Sequence, residues 1–410
     1  MRLPEVHNLI LPSGLRLVCM HYRGAGSGIF GITVGAGSSD EEPDRYGLAH
    51  LVEHTIFKGT LRRRPWHIIN RMEAVGGELN AFTTKEETTV YTIFPQGCAP
   101  RAVELVADLA INSQFPESEI EKEREVVIDE INSYRDTPSE AVYDDFEDMV
   151  FANTPLGHNI LGSAESVVRL GGDDCRDFLK HHYTVADMVA FYSGPQSPER
   201  IASLVERYFA ELPKGAGSKH GVGSTFTKTV SDVTIEGLHQ SHTVLGIEVG
   251  GIYGESRYTD GLFANMLGGP GMNSLLNVEL RERRGLVYTV EASVTRYAST
   301  GLMTVYFGCD PMDTVRCLRL CRSCASRIES MPMAQLDRRL SAAKRQWLGQ
   351  LTIGAENRES RIMGAARSVL YTGTTVSDKD AAERIMSVSA DSIKALAVSL
   401  SDPSILTFHP

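Results

Sequence analysis

The chain has 410 residues, 42% of them hydrophobic and 23% charged, the balance of an ordinary globular protein with room for two or three compact units. Its formal net charge of -11 argues against a nucleic-acid groove, and no window approaches the roughly eighteen uninterrupted apolar residues of a membrane span. Seven cysteines, an odd number scattered along a large chain, fit a reducing compartment better than a disulfide framework, so a cytoplasmic protein without membrane or nucleic-acid partners is expected.

In chain order, "MRLPEVHNLILPSGLRLV" lacks the apolar core of an export signal. "LRLVCMHY" and "GIFGITVGAG" read as strands. "AHLVEHTIFKGT", residues 49 to 60, then sets three ionisable side chains into an apolar helix. At about 100° per residue, His54 lies about 40° round from His50 and Glu53 about 60° the other way, so the three share one face. Leu48, Leu51, Val52 and Ile56 point away from it, toward a core. Two imidazoles four residues apart can grip one zinc ion, and the glutamate between them is then free to address what the metal holds. The pattern is H-x-x-E-H, the reverse of H-E-x-x-H. "LRRRPW", 61 to 66, is the one basic run and reads as solvated surface.

"NAFTTKEETTVY", 80 to 91, alternates as a half-exposed strand does. "ESEIEKEREVVIDEINSYRD" predicts a helix opened by a Ser118-x-x-Glu121 capping box, with an apolar seam at Val126, Val127 and Ile131. A catalytic zinc needs a third protein ligand. Glu123 and Glu130 are seven apart on one face of this helix, but periodicity does not choose between its acidic residues. "PKGAGSKHGVGST", within a linker at 213–228, divides the chain into an N-terminal domain, 1–212, and a C-terminal domain, 229–410. Cys317, Cys321 and Cys324 have a spacing that can hold a cluster, but on a helix they share a face with core residues, and burial explains them better.

The two halves resemble each other. "GITVGAGSSDEEPDRYGLAHLVEH" and "GIEVGGIYGESRYTDGLFANMLGG" share an order of strand, Gly-rich turn and helix, which implies an internal duplication. His50 falls on Ala264, Glu53 on Leu267 and His54 on Gly268, so the second copy keeps the helix without its polar residues. An α+β protein of two homologous sandwich-like domains is therefore expected. The missing residues argue that the first copy's cluster serves chemistry rather than folding.

"GLAHLVEHTIFKGT" followed by Glu130 in "EREVVIDEI", with "LPSGLRLV", "GGELNAFTTKEETTVY", "NTPLGHNILGSAESV" and "NSLLNVELRERRGLVY" in this order, resembles the pitrilysin-type metallopeptidases, in particular their short-chain branch related to mitochondrial processing peptidase subunits. The resemblance implies that His50, His54 and Glu130 bind Zn2+, that Glu53 is the general base, and that Glu123 is the carboxylate behind the ligands. It also implies that Arg281 and Tyr288 assist catalysis and that Asn80, Ala81 and Glu87 contact substrate along an edge strand. A zinc-dependent endopeptidase acting on peptides or unfolded segments is expected. Its dimer would form a clam-shaped chamber, with an identical chain or a related subunit as partner. The alternative is a non-catalytic peptide-binding or assembly subunit. One departure is Asn273-Ser274-Leu275, where many active relatives carry Ser-Ser-Arg, and "LGGPGMNS" reads as a turn without nucleotide.

Overall fold

The computed structural model describes residues 5–217 and 223–410. The strands and helices in chain order are β1 (Val6–Ile10), β2 (Arg16–His21), β3 (Ser27–Val34), α1 (Leu48–Thr55), α2 (Pro65–Glu73), β4 (Glu78–Thr83), β5 (Thr88–Pro95), α3 (Ala99–Asn112), α4 (Glu117–Arg135), α5 (Pro138–Val150), α6 (Ala164–Val167), α7 (Gly172–His182), β6 (Met188–Gly194) and α8 (Pro198–Tyr208). The second half continues with β7 (Val230–Thr234), β8 (Ser241–Val249), α9 (Arg257–Gly268), β9 (Val287–Arg296), β10 (Gly301–Cys309), α10 (Thr314–Glu329), α11 (Met333–Gly354), α12 (Arg358–Thr372), α13 (Asp378–Ser387), α14 (Ala390–Ser399) and β11 (Ser404–His409). A π-helical turn, Asn277–Glu282, precedes β9.

The duplication is explicit in the sheets. One has the order β1-β2-β6-β3-β5-β4, the other β7-β11-β8-β10-β9. With β1 set aside and strands numbered by chain order within each sheet, both read 1-5-2-4-3. In both, the first and last of these five strands pair in parallel. The third strand, β4 or β9, ends each sheet.

The compact units are not the consecutive stretches 1–212 and 229–410. Unit 1 comprises Met1–Ser133, His158–His220 and Ala355–Val376; unit 2 comprises Tyr134–Gly157, Gly221–Gly354 and Ser377–Pro410. Helix α5 thus belongs with the second sheet and α12 with the first. In unit 2, Val142, Phe146 and Val150 of α5 are buried with Val244, Leu302, Leu406 and Phe408 of the sheet. A Cβ on Gly246 would lie 2.6 Å from the Phe146 ring, so that strand position must be glycine for α5 to seat. In unit 1, Arg16 donates to the carbonyls of Val369 and Leu370 near the end of α12 (both 3.1 Å). Amphipathic periodicity shows which face of a helix is buried, not which sheet buries it. The expected linker at 213–228 leads into β7, and its residues 218–222 lie outside the described residues.

Two predicted elements differ locally. The run 80 to 91 is not one strand but the hairpin β4–β5, which turns at Thr84–Glu87. There Thr84 N–H donates to the Glu87 carbonyl (2.8 Å), and Glu87 N–H to the Thr84 hydroxyl (3.1 Å). Helix α4 begins at Glu117, with the Pro116 carbonyl accepting from Glu119 and Ile120, so Ser118 lies inside the first turn rather than capping it. Val127 and Ile131 are buried as expected, while Val126 is exposed. On α10, Cys317, Cys321 and Cys324 are buried in the unit 2 core.

Candidate metal centre

Helix α1 carries no cap of its own. Gly47, at φ +93°, precedes it, and a Cβ there would lie 2.6 Å from the Leu161 carbonyl oxygen. The orphan N–H groups of the helix start are met from elsewhere: Gly47 and Ala49 donate to the two oxygens of Glu41, at 2.9 and 2.6 Å. The Glu41 side chain is fully buried and is paired at 3.3 Å with His158 Nε2. The His158 ring stacks on Tyr46 at 3.7 Å between centroids, and its carbonyl accepts from Lys85 Nζ. Burial pushes the Glu41 carboxyl upward, offset in part by His158 and the two N–H donors.

From this anchored start, Leu48, Leu51, Val52 and Ile56 enter the core of unit 1. The opposite face presents His50 and His54, their ring centroids 4.6 Å apart. Helix α4 brings Glu130 to them. Its Oε2 lies 3.8 Å from His50 Nε2 and 3.4 Å from His54 Nε2, and the three ligating atoms fall within 4.8 Å of one another. A tetrahedral zinc with bonds of about 2.0 to 2.1 Å sets its ligand atoms roughly 3.3 to 3.4 Å apart, so the cluster fits one such ion after small side-chain adjustments. Burial, then the neighbouring His54, pushes His50 down to about 3, which keeps its imidazole in the neutral form that metals require.

Two turns before Glu130, the Glu123 Oε2 lies 3.2 Å from His54 Nδ1 while its Oε1 meets Lys58 Nζ at 2.6 Å. A proton held on Nδ1 by that carboxylate leaves Nε2 with its lone pair toward Glu130. His50 Nδ1, by contrast, is buried with no hydrogen-bond partner among the described residues. Glu53 is half-buried, and burial raises its carboxyl above the usual range; Thr83 at the end of β4 and His54 lower it, while Glu130 raises it further. A carboxylate poised upward beside cation ligands is suited to taking and returning a proton. The buried Tyr183 lies within electrostatic reach of Glu53.

Of the other expected site residues, Asn80 and Ala81 lie on the edge strand β4, half-buried and paired with Tyr91 and Val90. Glu87 is not on that edge. It is buried in the hairpin turn and ion-paired with Arg367 of α12, so its carboxylate is committed within unit 1 and a substrate contact by it does not fit. In unit 2, the Arg281 guanidinium stands 5.5 Å from the centre of the Tyr288 ring, which is 82% exposed, and both line a cavity with Gly269 and Asn277. The positions matching the zinc cluster are filled otherwise: Ala264 and Leu267 are buried, and a Cβ on Gly268 would lie 2.7 Å from the Ala292 nitrogen of β9. No histidine fits there.

Sequence reasoning missed Glu41, Lys58 and Tyr183, and gave His158 no role. Glu41, Lys58 and His158 had a signal, lying inside "GAGSSDE", "GLAHLVEHTIFKGT" and "NTPLGHNILGSAESV"; Tyr183 had none.

Comparison with known proteins finds relatives along most of the chain. Residues 19–164 match the model of the insulinase family, peptidase family M16, and residues 169–343 match the model described as the peptidase M16 inactive domain. The chain is 31% identical over 399 residues to an uncharacterized zinc protease of Streptomyces coelicolor, covering 96% of this chain and 86% of that one. It is 33% identical over 392 residues to an uncharacterized zinc protease of Mycobacterium tuberculosis, covering 94% and 89%. In fold it is similar to a peptidase M16 inactive domain from Pseudomonas fluorescens (TM-score 0.89, 17% identity, 99% of this chain and 98% of that). A protease from Helicobacter pylori is similar as well (TM-score 0.88, 18% identity, all of both chains). With relatives this similar along most of their length, the chain belongs to peptidase family M16.

Proposed function

We propose that the protein is a zinc-dependent endopeptidase for peptides and unfolded segments. The observation that carries this reading is the meeting of His50, His54 and Glu130 from two helices, with Glu53 beside them and its carboxyl held high. The first three would hold the ion. When bound, zinc supplies Lewis-acid polarisation of a carbonyl and lowers the pKa of a water molecule. Glu53 takes the proton from the attacking water and returns it to the leaving amine. Glu123 fixes the tautomer of His54 through its Nδ1. The edge strand β4 offers main-chain groups to an extended peptide, which accepts many sequences but requires the segment to be unfolded.

Arg281 and Tyr288 would donate to the carbonyl oxygen as its negative charge grows. On the family resemblance, a partner subunit supplies this pair in a dimeric chamber. The test is hydrolysis of an unstructured peptide by the purified zinc-loaded protein, beside Glu53→Gln and beside protein stripped with a chelator. Activity in the first alone supports the reading. Activity persisting in Glu53→Gln, or no activity under any pairing of subunits, contradicts it.

A further inference from the structure

The basic run 61 to 66 has no part in the site above, yet in the fold it does not simply face water. Arg62 and Arg63 from the loop before α2, His67, Asn70 and Arg71 from α2, and Arg101 from α3 line one open cavity of about 430 Å³. Four guanidinium groups converge there in a protein whose net charge is -11.

Two carboxylates lie beneath them, and both are already engaged. Glu104 gives one oxygen to Arg63 and the other to Arg71 (3.1 Å). Asp108, its side chain almost fully buried, takes Arg63 and the Thr60 hydroxyl on one oxygen and the Asn112 amide on the other (2.9 Å). Arg62 reaches Asp108 only at 3.9 Å, and Arg101 makes no ion pair among the described residues, donating instead to the Arg71 carbonyl (3.0 Å). Four arginines against two carboxylates leave two positive charges uncompensated. The Arg71 Nε is closed off from solvent without a partner among the described residues.

The carboxylates act as struts that hold Arg63 and Arg71 in place. Arg62 and Arg101 keep free donors at the rim. A prearranged guanidinium fork costs little ordering entropy on binding and matches the tetrahedral oxygens of a phosphoryl group. The volume exceeds that of one phosphate and lies at the lower end of the range for small-molecule sites.

We propose that this cavity, between α2, α3 and the loop before α2, binds the phosphoryl dianion of free phosphate or of a small phosphorylated metabolite. It is distinct from the metal centre, and no zinc is needed for it. The test titrates inorganic phosphate, and separately adenosine monophosphate, into the full chain by calorimetry, with sodium chloride holding ionic strength constant.

Saturable binding of inorganic phosphate is expected, weakened about tenfold by Arg101→Gln and by Arg62→Gln, since each removes one charge-assisted donor. Tighter binding of the nucleotide identifies a phosphorylated metabolite as the source; equal binding identifies free phosphate. Heat no greater than that of the chloride control overturns the proposal, as does binding that both substitutions leave unchanged. Circular dichroism of both variants separates loss of the site from loss of the fold.

Discussion

The carboxylate of Glu123 is expected to set much of the zinc affinity without touching the ion. In Glu123→Gln the volume is kept and the charge is lost. One oxygen of Glu123 faces His54 Nδ1 at 3.2 Å and the other faces the Lys58 ammonium at 2.6 Å. The carboxamide has a single oxygen to offer. Either His54 loses its acceptor, or Lys58 meets an amide N–H and the ammonium is left beside the metal site without its counter-charge. Carboxylate partners of ligating histidines are generally worth about 10- to 100-fold in metal affinity. Here His50 Nδ1 has no partner among the described residues, so Glu123 is the one carboxylate seen to orient a ligating imidazole through its Nδ1. The loss should therefore fall in the upper part of that range, about 30- to 100-fold, or roughly 2 to 2.8 kcal/mol. Competition against a chelator of known affinity at pH 7.5 measures it, and Lys58→Met, which spares the carboxylate, separates the two contacts. Zinc binding by Glu123→Gln within about threefold of wild type would refute the reasoning.

Other outcomes follow from the same geometry. Glu53→Gln should bind zinc like wild type while peptide hydrolysis falls by about 10²- to 10⁴-fold, the usual worth of a positioned acid–base group, read by single-turnover assays beside metal analysis. Glu41→Ala removes the acceptor of two α1 N–H groups and the partner of His158, and should cost about 3 to 5 kcal/mol in urea unfolding; a cost under about 1 kcal/mol would show that α1 does not need this anchor. Metal-free protein should lose stability as pH falls. Unfolded His50 takes its proton near 6.5 and the folded one only near 3, so the unfolded state binds the extra proton across that window, worth on the order of 5 kcal/mol. The raised Glu53 carboxyl acts oppositely, its contribution being lost as pH rises, so the comparison is between wild type and His50→Gln; parallel pH curves would contradict the assignment. Mixing Glu53→Gln with Arg281→Ala chains should restore hydrolysis if a partner subunit supplies the arginine, and a mixture as inactive as its parts, despite exchange of subunits, would count against that.

How much of this was legible in the sequence depended on the kind of signal. The face of α1 was legible because helical geometry alone brings His50, Glu53 and His54 together. Glu130 was legible only through the family resemblance, since an acidic helix offers many equivalent carboxylates and periodicity does not select one. Nothing in "SSDEEPD" says that the oxygens of Glu41 turn inward to a helix start. The turn Thr84–Glu87 was hidden because it contains no Gly, Pro or Asn, and is instead held by Thr84 and buried charges. The substrate role of Glu87 is implied by the family resemblance alone, and no feature of the sequence shows its pairing with Arg367. The 1-5-2-4-3 order shared by both sheets was foreshadowed by the repeat of strand, turn and helix, whereas the exchange of α5 and α12 left no trace in periodicity.

The claim beneath all of this is that one zinc ion sits between α1 and α4. Anomalous scattering at the zinc edge from crystals of the zinc-loaded protein addresses it most directly. A single strong peak within about 2.0 to 2.2 Å of His50 Nε2, His54 Nε2 and a Glu130 oxygen is expected. A peak elsewhere, or none at that point with zinc in excess, would contradict it.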